Sequence, residues 1–354
     1  MSLRLRKKSH ISSLMKPDIQ KFINTPLKIG NRVISGRLIL APMSGLTHVA
    51  FRELVAHYGG CGLLFTEMCS ARSVLQENHL ISPVFRWRHE ELPYLVCQLF
   101  GSDSDIMVHA AQRVEKEGFF GVDLNFGCSV AAICKKNCGA ALLKTPDHAV
   151  ALVRDVRKAV SIPVTVKYRT GWEDCPKSAV ELAGRFEEAG ADALTFHPRV
   201  APDRRSRPPK WEYIAQVKQA VSIPVFGNGE VFTVDDCEKM FETTGCDGIA
   251  LGRIAIAKPW IFAQWADGFV PGTEISQISM KQMITLLAKH YDMTTAIRKF
   301  KKRAVYNAAL FKYGHSFFKK MAKATEFSEI EKIVDAFFAT SPDLTLRPNL
   351  NLFA

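Results

Sequence analysis

No apolar run in the sequence approaches the ~18 residues that a membrane-spanning helix requires, so no membrane segment is expected. The N-terminus, MSLRLRKKSHISSLMKPDIQ, is basic but lacks the continuous apolar core of a secretory signal, and the expected location is the cytoplasm. An even cysteine set is missing too. Nine cysteines are scattered, several in apolar stretches (Cys61, Cys69, Cys97, Cys237, Cys246), which argues for reduced thiols rather than a disulfide scaffold. Cys134 and Cys138 are spaced unlike any usual zinc ligand pair, and no second Cys or His pair follows at a fitting distance, so no metal is expected. The fingerprint G-x-G-x-x-G follows no apolar run, which weakens a doubly wound dinucleotide-binding sheet as the fold. Internal repeats beyond a strand–helix rhythm and low-complexity segments are likewise missing.

What is present is an ordinary globular composition, 47% hydrophobic and 23% charged, in 354 residues with a formal net charge of +12. The length suits a barrel of about 250 residues plus a smaller domain. The charge favours an anionic partner.

Eight short apolar runs can be marked, at 38–41, 63–66, 95–99, 122–125, 164–168, 193–196, 225–227 and 248–251. Each is continuous rather than alternating, as expected of strands covered on both faces. Helix-like patterns lie between them at 103–117, 146–160, 178–189 and 233–243, with Thr145-Pro146 as a start signal and Gly118, Gly190 and Gly245 as stops. This alternation predicts a TIM (β/α)8 barrel over residues 26–268, after a basic extension of residues 1–25. The rhythm stops around 268–273, and 269–354 reads as a small all-α domain. Between Lys281 and Lys323 stand eleven Lys or Arg and one acid, Asp292, interleaved with Tyr306, Phe311, Tyr313, Phe317 and Phe318. That sign bias predicts contact with a phosphate backbone, with Arg298, Lys299, Lys301, Lys302 and Arg303 as its densest part.

In such a barrel the chemistry lies at the C-terminal mouths of the strands. Those mouths read Pro42-Met43-Ser44, Glu67-Met68, Gln98, Asn125 with Cys128, Lys167-Tyr168-Arg169, His197-Pro198-Arg199, Asn228-Gly229-Glu230 and Gly252-Arg253. Each has a dull explanation alone, and Cys128 by itself reads as an inert buried thiol. Together they form a convergent constellation. The glycine-bearing loops after strands 7 and 8 are the usual phosphate corner of a barrel. A phosphate beside Lys167 and Gln98 suits flavin mononucleotide (FMN), although a sugar phosphate would use the same corner.

The segments LILAPMSGLTHVAFR, LLFTEM, VDLNFGC, GAALL, VKYRTGW, TFHPR, FGNGEV and GIALGRIAIAKPWIF, in this order, resemble the tRNA-dihydrouridine synthases, above all the bacterial DusB-like branch. The resemblance is strong over 26–265, and the basic helical tail agrees with that family's tRNA-binding domain. It implies an FMN-dependent oxidoreductase that reduces the C5–C6 double bond of specific uridines in tRNA, with NADPH recharging the flavin. By this resemblance Cys128 is the acid that protonates C5. Pro42, Met43, Ser44, Gln98, Lys167, His197, Asn228, Gly229, Glu230, Gly252 and Arg253 match flavin-binding positions. Asn125, Arg169 and Arg199 match positions near the uridine or its phosphates. No obligate protein partner is implied, and a monomer is expected. Two alternatives stay open: an FMN barrel acting on a small pyrimidine-like molecule, and a tRNA-binding protein without turnover.

Four positions depart from the family pattern. Ser129 stands where Pro usually follows the catalytic Cys, and the loss of that fixed φ is expected to loosen the Cys128 loop. Ala131 and Ala132 replace basic residues, and His48 replaces an Asp.

Overall fold

Each apolar run becomes one barrel strand in the computed structural model of the chain, which describes residues 15–201, 203 and 207–353. The strands are β1 (Leu38–Leu40), β2 (Leu64–Phe65), β3 (Leu95–Phe100), β4 (Gly121–Phe126), β5 (Val164–Gly171), β6 (Ala193–Val200), β7 (Val225–Asn228) and β8 (Gly248–Leu251). Neighbours pair in parallel in the order β1-β8-β7-β6-β5-β4-β3-β2. A parallel bridge between Ile39 and Leu63, with the Leu40 N–H donating to Leu63 O at 2.9 Å, joins β1 to β2 and closes a TIM (β/α)8 barrel.

The helices obey local chemistry. They are α1 (Pro17–Ile23), α2 (Val49–Tyr58), α3 (Ser104–Lys116), α4 (Pro146–Ala159), α5 (Pro176–Glu188), α6 (Glu212–Ala220) and α7 (Val234–Thr244). Asp103 caps α3 by accepting from Ile106 N, and Thr233 and Asp236 form a capping box on α7. Gly245 ends α7 at φ +63, a conformation glycine adopts without a Cβ clash. His48, the departure from Asp, serves as the cap of α2: its Nδ1 accepts from Phe51 N at 3.3 Å.

Within the apparently continuous runs the structure reveals an alternation. Outward residues such as Leu95, Cys97, Leu99, Val122, Leu124, Val164 and Val166 pack beneath the helices. Inward residues form a separate apolar plug low in the barrel, made by Ile39, Leu63, Phe65, Val96, Ala193, Phe226 and Ala250. The antiparallel hairpin Leu27–Ile29 and Arg32–Ile34 floors this plug with Ile29 and Ile34. Further up, the inward positions turn polar: Asp123 and Asn125 on β4, Thr165, Lys167 and Arg169 on β5, Thr195, His197 and Arg199 on β6. The runs read as continuous because the inward partners near the floor are apolar too.

Residues 15–25 are not an extension apart from the barrel. The Lys16 N–H donates to Glu238 Oε1 at 2.6 Å, Asn24 Nδ2 donates to Ala266 O at 2.8 Å, and Ile23 is buried. Helix α1 thus lies against the barrel because its apolar side has a seat there. Residues 1–14 of the expected basic extension lie outside the described residues.

After β8 come α8 (Arg253–Ala257), α9 (Ile261–Ala266), α10 (Ile275–His290), α11 (Met293–Ala308), α12 (Gly314–Lys323) and α13 (Phe327–Phe338). Helix α10 packs on α2, and α11 crosses the mouths of β1 and β2. This crossing corrects two of the residues read as phosphate contacts. Lys299 is 7% exposed and donates to Glu67 Oε2 at 3.2 Å. Arg303 is 1% exposed and donates to Ile256 O at 3.1 Å and Ser279 Oγ at 2.9 Å. The helical period puts Ala296, Lys299, Phe300, Arg303 and Asn307 on one stripe facing the barrel, so charge density in the sequence does not equal charge at the surface. Arg298 and Lys302 point outward and Lys301 is half-buried; the Lys302 ammonium donates to Ser44 O at 2.7 Å.

Candidate active site

At the end of β4 the chain turns on a side-chain relay. Asn125 Oδ1 accepts from the N–H groups of Gly127 at 3.1 Å and Cys128 at 2.9 Å. Asn125 Nδ2 donates to Gln98 Oε1 at 2.8 Å, and Gln98 Nε2 donates to Asp123 Oδ2 at 2.6 Å. Thr165 Oγ1 donates to the other oxygen of Asp123 at 2.6 Å. An ionised carboxylate only accepts, so Asp123 dictates which way the Gln98 amide faces, and Gln98 in turn dictates Asn125.

The same relay leads to a prediction. Burial raises the Asp123 carboxyl to about 6, against donation from Thr165 and Gln98 that favours the charged form. Its folded value lies above its unfolded one. The group's contribution to stability is therefore present at low pH and lost as pH rises through about 6, a swing of roughly 3 kcal/mol. Asp123→Asn should remove this part of the pH slope in chemical denaturation. It should also lower turnover, because an amide at this position no longer dictates the Gln98 orientation.

The Cys128 thiol is half-buried, and desolvation pushes its pKa above the ordinary value, with the Val130 N–H, Arg169 and Lys167 pulling it back. It is therefore a protonated donor at neutral pH. The loosening expected from Ser129 is opposed by contacts on both sides of it. Arg169 Nε donates to Gly127 O at 2.6 Å, and the Ala140 N–H donates to Cys128 O at 2.9 Å. Trp172 Nε1 holds Ala140 O at 2.8 Å. Gly139 has φ +62, and a Cβ there would come within 2.5 Å of Cys128 O. Cys134 directs its thiol at Cys128 O at 3.5 Å, while Cys138 is 6% exposed with its thiol on Lys136 O at 3.2 Å. All nine cysteines are free.

Beside this loop a cavity of about 300 Å³ opens between the mouths of β5 to β8 and β1. It lies at the lower end of the ~300–1,000 Å³ usual for small-molecule sites. Pro42, Met43, Lys167, Arg169, His197, Arg199, Asn228, Gly229, Glu230, Gly252 and Arg253 line it. Four of these are cations and one a carboxylate. Glu230 takes both Arg199 at 2.5 Å and Arg253 at 3.4 Å, so one carboxylate stands against four cations in the lining. Burial, with Arg169 nearby, lowers the Lys167 ammonium to about 8, and burial with Arg199 lowers Arg169 to about 10. His197 is driven well below its usual range by burial and the surrounding cations, hence neutral, and its buried Nε2 has no partner among the described residues. Gly229, at φ +127, sits where a Cβ would meet His197 Cδ2 at 3.0 Å and Pro209 Cβ at 3.1 Å. Such a set of donors fits a ligand with anionic and hydrogen-bond-accepting groups.

Three expected flavin or uridine residues do not line the cavity, and Cys128 lies in the loop beside it. Gln98 and Asn125 work in the relay, and Ser44 is exposed with its carbonyl held by Lys302. Two residues were not foreseen. Asp123 shares the inward face with Asn125 two positions on, and that period could have found it. Tyr306, on α11, lines the cavity from the helical region, and no local sequence signal marks it.

Comparison with known proteins agrees with the barrel fold. The dihydrouridine synthase (Dus) family profile matches residues 39–342. The probable tRNA-dihydrouridine synthase 1 of Synechocystis is 37% identical over 270 residues, covering 76% of this chain and 75% of the relative. The tRNA-dihydrouridine synthase B of Vibrio vulnificus is 33% identical over 311 residues, covering 88% and 95%. Among solved structures, the old yellow enzyme from Trypanosoma cruzi aligns with a TM-score of 0.52 at 12% identity, over 72% of this chain and 95% of that one. A 2-naphthoyl-CoA reductase aligns with a TM-score of 0.55 at 12% identity, over 91% and 70%. These two likenesses concern the barrel fold. With the family profile spanning barrel and helical region together, and relatives matched along most of both lengths, the chain belongs to the dihydrouridine synthase family.

Proposed function

We propose that this chain reduces the C5–C6 double bond of particular uridines in tRNA, with FMN in the cationic cavity and NADPH as the reductant. The observation that carries the reading is a protonated, half-buried Cys128 held by Asn125 beside Arg169 and Lys167, which line a cavity of four cations and one carboxylate. The donor set fits FMN: an orphaned, buried His197 Nε2 and a buried Lys167 call for acceptors, and Gly252 and Arg253 open a short helix whose first N–H groups lack helical partners. Asn228, Gly229, Gly252 and Arg253 would hold the phosphate end, with Lys167, His197 and Met43 along the ring. Bound there, the flavin would supply the hydride that C6 takes up, with NADPH as its reductant.

The chain's own part is the proton. The S–H bond of Cys128 breaks as the C5–H bond forms, and the thiolate left behind regains a proton from water. Desolvation keeps the thiol protonated beforehand, and the relay fixes its backbone, so the donor waits in one place. Arg169 binds the Cys128 loop through Gly127 O and lines the cavity as well, which suits it to hold both the loop and the incoming nucleotide.

The test is direct. Unmodified tRNA transcribed in vitro is incubated with the chain, FMN and NADPH, then analysed by nucleoside mass spectrometry. Uridines that gain the mass of two hydrogens support the reading; tRNA that stays unchanged, with FMN bound, overturns it.

A further inference from the structure

A second hollow, of about 600 Å³, lies between α12, α13 and the segment that follows α13. Its floor is apolar, from Phe317, Ile333 and Phe337, and its rim carries Lys312, Tyr313, Lys320 and Lys332. Asp343 on the rim is taken by Lys312 at 3.1 Å. Neither Lys320 nor Lys332 forms a salt bridge within 4 Å among the described residues, although Glu329 lies near enough to Lys332 to feel its charge.

Tyr313 is the anomaly of this rim. Its φ is +59, and the residue is 81% exposed. The left-handed region disfavours a bulky L-residue and is normally given to glycine. The glycine next to it cannot be moved there: a Cβ on Gly314 would come within 1.8 Å of Ala308 O. The backbone thus holds strain at a residue whose ring adds little to the core, and strain of this kind clusters at functional positions.

We propose that this groove receives an unstacked base of the tRNA substrate, stacked on Tyr313, with Lys320 and Lys332 against the flanking phosphates. Lysines alone would suit any polyanion. An exposed aromatic ring beside an apolar floor, with Lys320 and with Lys332 (which also feels Glu329) on the same rim, matches a flat base flanked by phosphates. Reach agrees: Tyr306 lines the first cavity and Lys312 the groove, six residues on, at most about 20 Å of chain. The two cavities thus lie within the reach of one RNA. The proposal rests on tRNA being the substrate, and it deepens that reading by naming where the helical region holds it.

Binding of in vitro transcribed tRNA, followed by fluorescence anisotropy across a salt series, tests it. Tyr313→Ala is expected to weaken binding roughly 5- to 100-fold, the range for one lost base stack, while Tyr313→Phe retains affinity. Lys320→Ala with Lys332→Ala should reduce the slope of log affinity against log salt by roughly 1 to 2. Thermal midpoints of the variants confirm that they are folded. Variants that bind tRNA like the wild type, while the wild type reduces it, would overturn the groove and leave the activity standing. A wild type that shows the Tyr313 dependence yet never reduces tRNA would sink the activity and uphold the groove. Polyglutamate binding with equal sensitivity to Tyr313→Ala would reassign the groove to acidic peptides and overturn the proposal.

Discussion

Cys128→Ala should lower dihydrouridine formation by ~10²–10⁴-fold, the usual worth of a positioned general acid. In the proposed reaction, flavin reduction by NADPH, followed by loss of the oxidised flavin absorbance without tRNA, would not involve this proton and supplies the comparison. The assignment is specific among three neighbouring thiols. Cys138 is buried and bonded to Lys136 O, and Cys134 points at the Cys128 carbonyl. Cys138→Ala should therefore keep turnover, and a reversed outcome for the two variants would remove Cys128 from the mechanism. The pH profile adds a second check. Burial raises the Cys128 thiol above its ordinary value, so the acid form persists across neutral pH and turnover should fall only in the alkaline range.

Glu91→Ala should cost about 3–5 kcal/mol of stability, the range for leaving one partner of a buried pair uncompensated. Arg52 and Glu91 are both fully buried, and their charged atoms meet at 2.6 Å. Arg52 also donates to Thr47 O at 2.7 Å and Arg86 O at 2.7 Å, tying three loops together. The double variant Arg52→Met with Glu91→Leu should recover much of the loss, because two apolar residues leave no charge stranded. A double-mutant cycle of Arg52→Met and Glu91→Leu from urea denaturation measures the coupling; a double variant whose loss equals the sum of the two single losses would show that the pair contributes no coupling. The consequence reaches the cavity. Thr47 Oγ1 accepts from Met43 N at 3.1 Å, and Met43 lines the cavity wall, so the single variant should also weaken flavin binding.

The helical region changes how the site is understood. Lys299 binds Glu67, whose other carboxylate oxygen accepts from the Gly45 N–H, and Lys302 holds Ser44 O. Together with Tyr306 in the cavity wall, these contacts make α11 part of the catalytic architecture. Lys299, which the charge pattern assigned to RNA, is buried and holds the barrel mouth instead.

The barrel was legible in the sequence because parallel strands covered on both faces leave continuous apolar runs, and because helix stops such as Gly245 are local chemistry. The same holds for the constellation of Cys128, Lys167, His197 and Asn228, since a TIM barrel sends every strand end to one mouth. Asp123 was hidden inside an apolar run whose floor-level partners are also apolar. Other features depended on long-range packing. Ser129 sits in a loop held by Arg169 and Ala140, from outside its own turn, and no rule about the residue after a cysteine contains those contacts. Lys299 and Arg303 look like their exposed neighbours in sequence; only the docking of α11 onto the barrel decides which cations face water. Local propensity and period thus determined the elements and the reactive mouths, while burial and the direction of each charge belonged to the tertiary structure, because both depend on what packs against a residue from far along the chain.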